Sequence, residues 1–595
     1  MRSIAEALWT SEGTPARTAK VAALASALAD VFARDPASLP FAARFLTGTL
    51  LEAADDRTLG AGGRLVFEAA LVVTGMQSDE LGRRARRAGD LGTAIGEAVG
   101  VALAEGRIAA PAGLRLEDAQ ALALALASTG SREKKQAALC DALSRCAPNE
   151  ARYLARAILG EMRVGAKEGI VLDAIARAFG RTLHDVRRAA GLVTDVGVLA
   201  LLAAEDRLAE ARILLGRPIG FMLATPIETA RGADLTVPHA MEDKIDGIRA
   251  QAHIGADGAV RLFARGTGAV TAAFPDVARP LAAALRSGVI TPAILDGEIV
   301  VVAEDGRPRP FSAIQPRLKK TEPDEDLVRE HPVHYLVYDL LFEGEESLLA
   351  LPFLERRARL ARWTEHAPAP LRLHDSRPLS APQALDAEFD AARARGFEGL
   401  VLKRLDAPYA AGVRGFAWLK VKKAFATLDV VVVAAERGHG RRAGVLSDYT
   451  FAVRSEGELL TVGKAYSGLT DEEIRTMTAR LEAIATAEEK HGCLRVRPEI
   501  VLEVAFDGLQ RSERHSSGFA LRFPRIARIR EDKKAEEADT LDAVRALWEA
   551  QLASGHRENR TAKDRQAPEK KRGRRSGRRP DVRAKSKQLK LFDDD

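Results

Sequence analysis

E-D-K-I-D-G-I-R (242–249) places Lys244 two residues ahead of an Asp-Gly turn, with Glu242 before it and Arg249 beyond. Alone, a K-x-D-G string is common, and a solvated lysine in a strand-turn explains it. Five strings downstream change its weight: R-L-F-A-R-G-T (261–267), I-L-D-G-E-I-V (294–300), L-V-Y-D-L-L (336–341), G-F-E-G-L-V-L-K (396–403) and R-G-F-A-W-L-K-V-K-K (414–423). Each sets one or two charges at the end of an apolar run. Charged strand ends that face one cleft are what the binding of a nucleoside triphosphate requires.

The chain around these strings has 595 residues, room for three or four domains of roughly 150 residues each. It is 46% hydrophobic and 29% charged, the balance of ordinary globular proteins. No run approaches the roughly 20 apolar residues of a membrane span. The N-terminal M-R-S-I-A-E-A-L-W-T has one arginine and no sustained apolar stretch, so no signal peptide is expected. These features point to a cytoplasmic protein. Cys140, Cys146 and Cys493 are odd in number and lack C-x-x-C spacing. They read as small buried hydrophobes in a reducing compartment, not as a disulfide framework or a zinc site. From His556 onward there are 15 Lys and Arg against 7 Asp and Glu, a surplus larger than the whole chain's +6. The body is therefore slightly acidic, and a nucleic-acid surface on it must be a local patch.

Residues 1 to about 200 read as all helix, rich in Ala and Leu at three- and four-residue spacing, as in I-V-L-D-A-I-A-R-A-F-G (170–180) with Gly180 as a stop. Pro218 and Pro226 then exclude a continuous helix. Short strand-like runs follow (I-R-A-Q-A-H-I, V-R-L-F-A, I-L-D-G-E-I-V-V-V, V-H-Y-L-V-Y-D-L-L-F), separated by Gly, Asp and Pro, with a helix ending at Gly396. This α/β character ends near Lys423. From Asp429, about 120 residues of short strands with one helix fit a small β-barrel of the oligonucleotide-binding type. The basic tail is expected to be disordered.

In this order and spacing the strings resemble the nucleotidyltransferase motifs of ATP-dependent DNA ligases. The resemblance covers roughly residues 150–535 and ends in G-F-A-L-R-F-P-R-I-A-R-I-R-E-D-K (518–533), which looks like that family's last motif. It implies a multidomain chain: an all-α DNA-binding domain (1–205), an α/β nucleotidyltransferase or adenylation domain (215–425), an OB-fold β-barrel (428–550) and a disordered basic tail (556–595). The implied activity is sealing of nicks in duplex DNA, in replication, repair or recombination. Chemically, ligation makes the 5′-phosphate of a nick reactive by attaching AMP to it. A lysine amine can attack the α-phosphate of ATP and carry AMP as a phosphoramidate. That amine must be neutral, so nearby metal or cationic charge is expected to depress its pKa. Lys244 is the assigned nucleophile. Arg249 and Lys420 or Lys422 would hold the α-phosphate and its developing charge. Glu298 and Glu398 end separate strands and suit Mg2+, with a ribose hydroxyl as the alternative partner of Glu298. Tyr338 offers a ring for adenine to stack on, and Glu242 an acceptor for its amino group. By resemblance, Arg265 and Arg414 complete the nucleotide contacts. Asp296 and Asp339 read as turn caps and Trp418 as packing. Two departures stand out: Gly266-Thr267-Gly268 follows Arg265 where relatives carry Asn or Asp, and Tyr338 replaces a frequent phenylalanine, so its hydroxyl needs a partner.

E-A-R-Y-L-A-R-A-I-L-G-E-M-R-V-G-A-K-E-G (150–169) resembles the DNA-binding domain of larger ligases, those of archaea, eukaryotic nuclei and some bacteria. Arg163, Gly165, Ala166 and Lys167 are candidate duplex contacts, against the plain alternative of a tight helix–helix turn that needs Gly165. Arg525, Arg528, Arg530 and Lys533 would meet ATP phosphates or DNA. A monomer closing on a nick in this way reads the backbone, not the base sequence. In the tail, Gln588, Leu589, Leu591 and Phe592 are clustered apolar anchors without a core, and Q-L-K-L-F resembles the pentapeptide that docks bacterial proteins on the β sliding clamp. An RNA ligase or capping guanylyltransferase would share the K-x-D-G chemistry, but the helical N-terminal part argues for duplex DNA. An inert DNA-binding scaffold has no physical need for Lys244, Glu298, Glu398 and Lys420 together.

Overall fold

A computed structural model describes residues 1–553 apart from 54, 56, 166–167, 230–233, 267, 304–307, 310, 319–321, 422–424, 439–441, 443 and 489–492. Ala166, Lys167, Lys422 and the tail anchors Gln588, Leu589, Leu591 and Phe592 lie outside the described residues.

Between Arg2 and Ala204 the described residues form twelve α-helices and no strand. Their apolar faces share one core that includes the fully buried Ile4, Leu8, Leu28, Phe45, Val66, Ile95 and Val171. A polar knot runs through it. Arg156 donates from Nε to Asp90 at 2.9 Å and from Nη1 to Glu12 at 2.8 Å, tying together helices Pro148–Ile158, Leu91–Ala104 and Arg2–Glu12. The same guanidinium bonds the carbonyl of Met162 at 3.3 Å, and Lys20 bonds that of Val164 at 2.8 Å. The loop before helix Glu168–Ala178 is thus anchored at two carbonyls, and it turns through Arg163 at φ 51° and Gly165 at φ 63°.

The middle region has two sheets. The first, in spatial order β1-β11-β10-β2-β9, comprises β1 (Leu223–Ile227), β2 (His239–Lys244), β9 (Arg377–Pro378), β10 (Gly399–Arg404) and β11 (Arg414–Val421). Pro226 sits in β1, an edge strand, where its missing N–H is tolerated. The second sheet runs β4-β3-β5-β6-β7 with β8 beside β6: β3 (Ile248–Ile254), β4 (Val260–Ala264), β5 (Ala293–Val301), β6 (Val333–Glu343), β7 (Glu346–Ser347) and β8 (Leu371–Leu373). The K-x-D-G turn lies where the chain leaves β2 of one sheet and enters β3 of the other. Gly247 is required there, since a Cβ would come within 2.4 Å of the Ile299 carbonyl. Helices Pro275–Arg286 and Phe353–Thr364 flank the second sheet, and Leu385–Ala394 packs against the first.

Asp296 and Asp339 are not turn caps. Both are interior strand residues with no exposure. Asp339 pairs with Arg356, itself fully buried, through Nε at 2.8 Å and Nη2 at 2.9 Å. A sequence scan sees only an Asp among apolar residues; its cation arrives from a helix 17 residues away.

The C-terminal region is a curled seven-stranded sheet in which one long strand, Ala426–Arg437, pairs with Val501–Phe506 along its first half and with Cys493–Val496 near its end. A hairpin, Gly508–Arg511 with Phe519–Arg522, and helices Asp471–Ala483 and Leu541–Ala553 complete it.

Replacing Arg356 by Met leaves Asp339 charged, buried and unpaired, and should cost about 3–5 kcal/mol of stability. Urea unfolding midpoints of the two proteins measure this.

Candidate active site

The register of the first sheet sets Lys244 opposite Gly399, and the amide of Glu398 bonds the Lys244 carbonyl at 2.9 Å. Gly399 is needed at φ 150°, where a Cβ would meet the Val421 carbonyl at 2.6 Å. This close approach brings the Glu398 carboxylate onto the Lys244 ammonium as an ion pair and hydrogen bond. In the second sheet Arg249 lies opposite Glu298. A β-bulge in β6 skips one residue between the partners of Asp296 and Gly297, and that residue is Tyr338. Bulges re-aim a side chain, and this one lines the cavity between the sheets.

The cavity, of ≈ 200 Å3, is walled by Glu242, Lys244, Arg249, Arg265, Glu298, Tyr338, Arg414 and Lys420, all expected from the sequence. It is also walled by Leu223, Asp243, His374, Val401, Lys403 and Trp418, which were not assigned to the site. Lys403 is the notable omission. It is 1% exposed, pairs with Glu242 at 2.7 Å, and places its ammonium 4.1 Å from the Tyr338 ring centre and 4.3 Å from that of Trp418. Burial, offset by Glu242, lowers its pKa. The signal was present as the last residue of G-F-E-G-L-V-L-K, but alternation along β10 alone did not say which face it takes. Trp418 packs against Tyr338 and Tyr409 edge-on, at 6.2 and 5.7 Å, as expected of packing, yet it also borders the cavity. Its indole Nε1 and Glu242 Oε1 are buried without a hydrogen-bond partner among the described residues. An unpaired buried donor and acceptor in a cavity wall are suited to a polar, planar ligand.

Electrostatics around Lys244 depart from expectation. Burial pulls its pKa down, but Glu398, with Glu298 and Asp246, outweighs burial and holds it above that of an ordinary lysine. The neighbouring charges are carboxylates, not cations. Burial pushes Glu298 up to about 7 despite Lys244 and Arg249. Burial and the Glu398 charge raise Asp246, whose Oδ2 accepts the Phe311 amide at 3.2 Å and faces Arg522 of the C-terminal region at 3.5 Å. Among the described residues no three His, Cys, Asp or Glu gather closely enough to hold a metal by themselves. Mg2+ fits differently, bound through one or two carboxylates with phosphate oxygens and water supplying the rest. Glu298 and Glu398 fit that donor set.

Arg249 is not free to approach a ligand with its whole guanidinium. It pairs with Asp296 through Nε at 3.1 Å and Nη2 at 2.6 Å, and donates from Nη1 to the Met222 carbonyl at 2.7 Å. Asp296 also accepts from the hydroxyls of Tyr409 at 2.8 Å and Tyr338 at 3.3 Å; the latter is the partner the Tyr338 hydroxyl needed. Arg414 donates to the Ala224 carbonyl at 2.6 Å.

The remaining expected cations are elsewhere. Arg163 donates to the Gly89 carbonyl and to Glu161, both at 2.5 Å, so its guanidinium is engaged within the helical region near Gly165. Arg525 pairs with Asp507 at 3.1 Å, Arg528 with Glu503 at 2.5 Å, and Arg530 and Lys533 both with Asp429, at 2.7 and 2.6 Å. None of these four lines the cavity.

Family models match in three consecutive blocks: a DNA ligase N terminus over residues 2–176, an ATP dependent DNA ligase domain over 221–422 and an ATP dependent DNA ligase C terminal region over 442–533. The chain is 41% identical over 577 residues to a probable DNA ligase of Koribacter versatilis, covering 93% of this chain and 97% of that one. It is 37% identical over 563 residues to DNA ligase 1 of Korarchaeum cryptofilum, covering 93% and 99%. The solved structure of Pmar-Lig_PreS3 has the same fold, with a TM-score of 0.55 at 16% identity over 89% of this chain and 99% of that one.

A carboxyl whose pKa is raised on folding contributes stability below its unfolded value, about 4.5, and loses it as pH rises through the folded value, here about 7. Glu298→Gln should therefore gain stability relative to the parent protein as pH rises from about 5 to about 8. Urea midpoints of the metal- and nucleotide-free proteins, compared across that range, should diverge in this direction.

Proposed function

Because the chain belongs to the ATP-dependent DNA ligase family, which seals nicks in DNA through a lysyl-AMP intermediate, we propose that Lys244 is the residue that carries the AMP. The observation that supports this is the position of its ammonium, at the end of β2 where the chain crosses between two sheets, in the wall of a mixed-charge cavity and against Glu398. In the first step the deprotonated amine attacks the α-phosphorus of ATP, the bond to the β-phosphate oxygen breaks, and pyrophosphate leaves. In the second, AMP passes to the 5′-phosphate of the nick. In the third, the 3′-hydroxyl displaces AMP and closes the backbone.

The other residues are assigned by place. Arg265, Arg414 and Lys420 bring cationic charge to the cavity for phosphate oxygens. Arg249, clamped by Asp296 and the Met222 carbonyl, borders the same cavity and orients β3. Tyr338 gives the base a ring, and the unpaired Glu242 Oε1 gives its amino group an acceptor. Glu298 and Glu398 would hold Mg2+, whose charge would offset the carboxylates that keep Lys244 protonated. The curled C-terminal sheet is an OB-fold barrel whose Arg525, Arg528, Arg530 and Lys533 reach phosphates once their carboxylate partners release them. The helical region (1–205) grips the duplex through the loop of Arg163 and Gly165, with Ala166 and Lys167 beyond the described residues. The nucleotide-binding domain spans 215–425 and the barrel 428–550. The enzyme works as a monomer at the nucleoid. No helix of the described residues is long and apolar enough to cross a membrane. The tail (556–595) docks on the β sliding clamp through Gln588, Leu589, Leu591 and Phe592.

With α-labelled ATP, the parent protein should become labelled and then seal nicked DNA. Lys244→Ala and Lys244→Arg should do neither, since a guanidinium stays protonated. Label retained on Lys244→Ala would move the assignment elsewhere.

A peptide of residues 580–595 should bind the host's sliding clamp with a Kd on the order of micromolar. Leu591→Ala with Phe592→Ala should abolish binding and leave AMP attachment unchanged. No binding of the unaltered peptide at low salt would leave the tail as an electrostatic tether only.

A further inference from the structure

The segment between the helical region and β1 has the length of a linker and a proline, Pro218, but it is bonded on both sides. Toward the nucleotide-binding sheets, Gln251 pairs with the Ile219 peptide as another peptide would, accepting its N–H at 3.1 Å and donating to its carbonyl at 2.9 Å. The Gly216 amide donates to His253 Nδ1 at 3.3 Å, and the Met222 amide to the Tyr409 hydroxyl at 3.0 Å. Gln251, His253 and Tyr409 are all buried. Burial drives the His253 pKa down to about 3, so the ring is neutral and its Nδ1 can accept. Toward the helical region, the Gly220 amide donates to the Gly191 carbonyl at 2.8 Å, and the Thr194 hydroxyl to the Pro218 carbonyl at 2.8 Å.

Three glycines close the joint. A Cβ on Gly191 would come within 2.4 Å of the Ala411 carbonyl oxygen, and one on Gly220 within 2.6 Å of the Gly412 nitrogen. Gly412 itself holds φ at 73°. Backbone meets backbone from the helical region, the connecting segment and the loop before β11. No side chain fits between them, so the spacing cannot relax by a rotamer change. The joint borders a larger cavity of ≈ 1040 Å3 between the helical region and the nucleotide-binding sheets, which shares Leu223, Arg265 and Arg414 with the nucleotide cavity. Met222, at the end of the connecting segment, supplies the carbonyl to which Arg249 donates. The placement of the helical region is therefore linked mechanically to the active site.

We propose that Gly191, Thr194, Gly220 and Gly412 are positioning residues that weld the helical region to the nucleotide-binding domain, so that a gripped duplex is presented to Lys244 at a fixed distance. The helical region then governs the rate of sealing, not affinity alone. This rests on the ligase reading above. The contact from the C-terminal side differs in kind: Arg522 and Asp246 meet at 3.5 Å through their side chains, 30% and 25% exposed, and long side chains, unlike abutting backbone, can change rotamer.

The test uses the full chain with Gly191→Ala, Thr194→Val and the conservative Thr194→Ser. Alanine favours a helix over glycine, so Gly191→Ala does not weaken helix Leu183–Leu192 by propensity. Three quantities are measured: AMP attachment from ATP, nick affinity, and single-turnover sealing by adenylated enzyme at saturating nick. For Gly191→Ala, attachment and affinity should stay within about three-fold while sealing falls about 10²-fold, the scale of an ångström's misplacement. Thr194→Val should show a smaller fall in sealing that Thr194→Ser restores. Should Gly191→Ala fail to fold, the Thr194 pair decides. Unchanged sealing at saturation, or a loss confined to affinity, overturns the proposal and makes the helical region a tether. Absence of sealing by the unaltered protein would strike the ligase reading instead.

Discussion

An ammonium crowded by carboxylates at the crossing between two sheets is the constraint on which the active site depends. Lys244 touches Glu398 and feels Glu298 and Asp246, while the register that puts it there is fixed by two glycines without room for a Cβ. The arrangement holds the lysine charged and in place. It also accumulates negative charge that burial makes costly, as the raised Glu298 and Asp246 show. A site of this kind is set for incoming positive charge. Positive charge arriving there would weaken the hold of the same carboxylates on the Lys244 ammonium.

Behind this layer stands a second set of buried pairs. Asp296 gathers Arg249, Tyr338 and Tyr409; Asp339 takes Arg356; Glu242 takes Lys403 over two aromatic faces. Compared with well-packed apolar side chains, such pairs add little net stability. Their value lies in direction. A guanidinium held at both ends by one carboxylate cannot change its angle, and the Tyr338 ring beside it is fixed by its hydroxyl and by the bulge that carries it.

The three regions are joined by different physics. Between the helical and nucleotide-binding regions the contact is backbone on backbone, with the connecting amides bonded to buried side chains. Between the nucleotide-binding and C-terminal regions it includes a partly buried side-chain ion pair at Asp246, a residue of the K-x-D-G turn itself. The cations near the end of the C-terminal sheet are meanwhile neutralised by their own carboxylates, most tightly at Asp429. A joint made of close-packed glycines leaves no side chain to adjust, whereas one made through long side chains does.

Local composition and order determined a great deal. Helical spacing over the first 200 residues and alternation in V-R-L-F-A and I-L-D-G-E-I-V were enough to outline the elements, and the resemblance carried by the ordered charged strings singled out Lys244, Glu298, Tyr338, Arg414 and Lys420, which the structure brings to one cavity; those signals are legible because each is carried by residues near one another in the chain. What the tertiary structure decided was pairing. Asp296 and Asp339 look like turn residues until strands and a helix bring their arginines. The face that Lys403 takes is open until the sheet sets it against Tyr338 and Trp418. Arg525, Arg528, Arg530 and Lys533 look free until Asp507, Glu503 and Asp429 are found beside them. The pKa of Lys244 followed the same rule, since its sign depends on charges 54 and 154 residues away in the chain. Coulomb energy and desolvation act through space, and a linear sequence lists charges without the distances that set their effect.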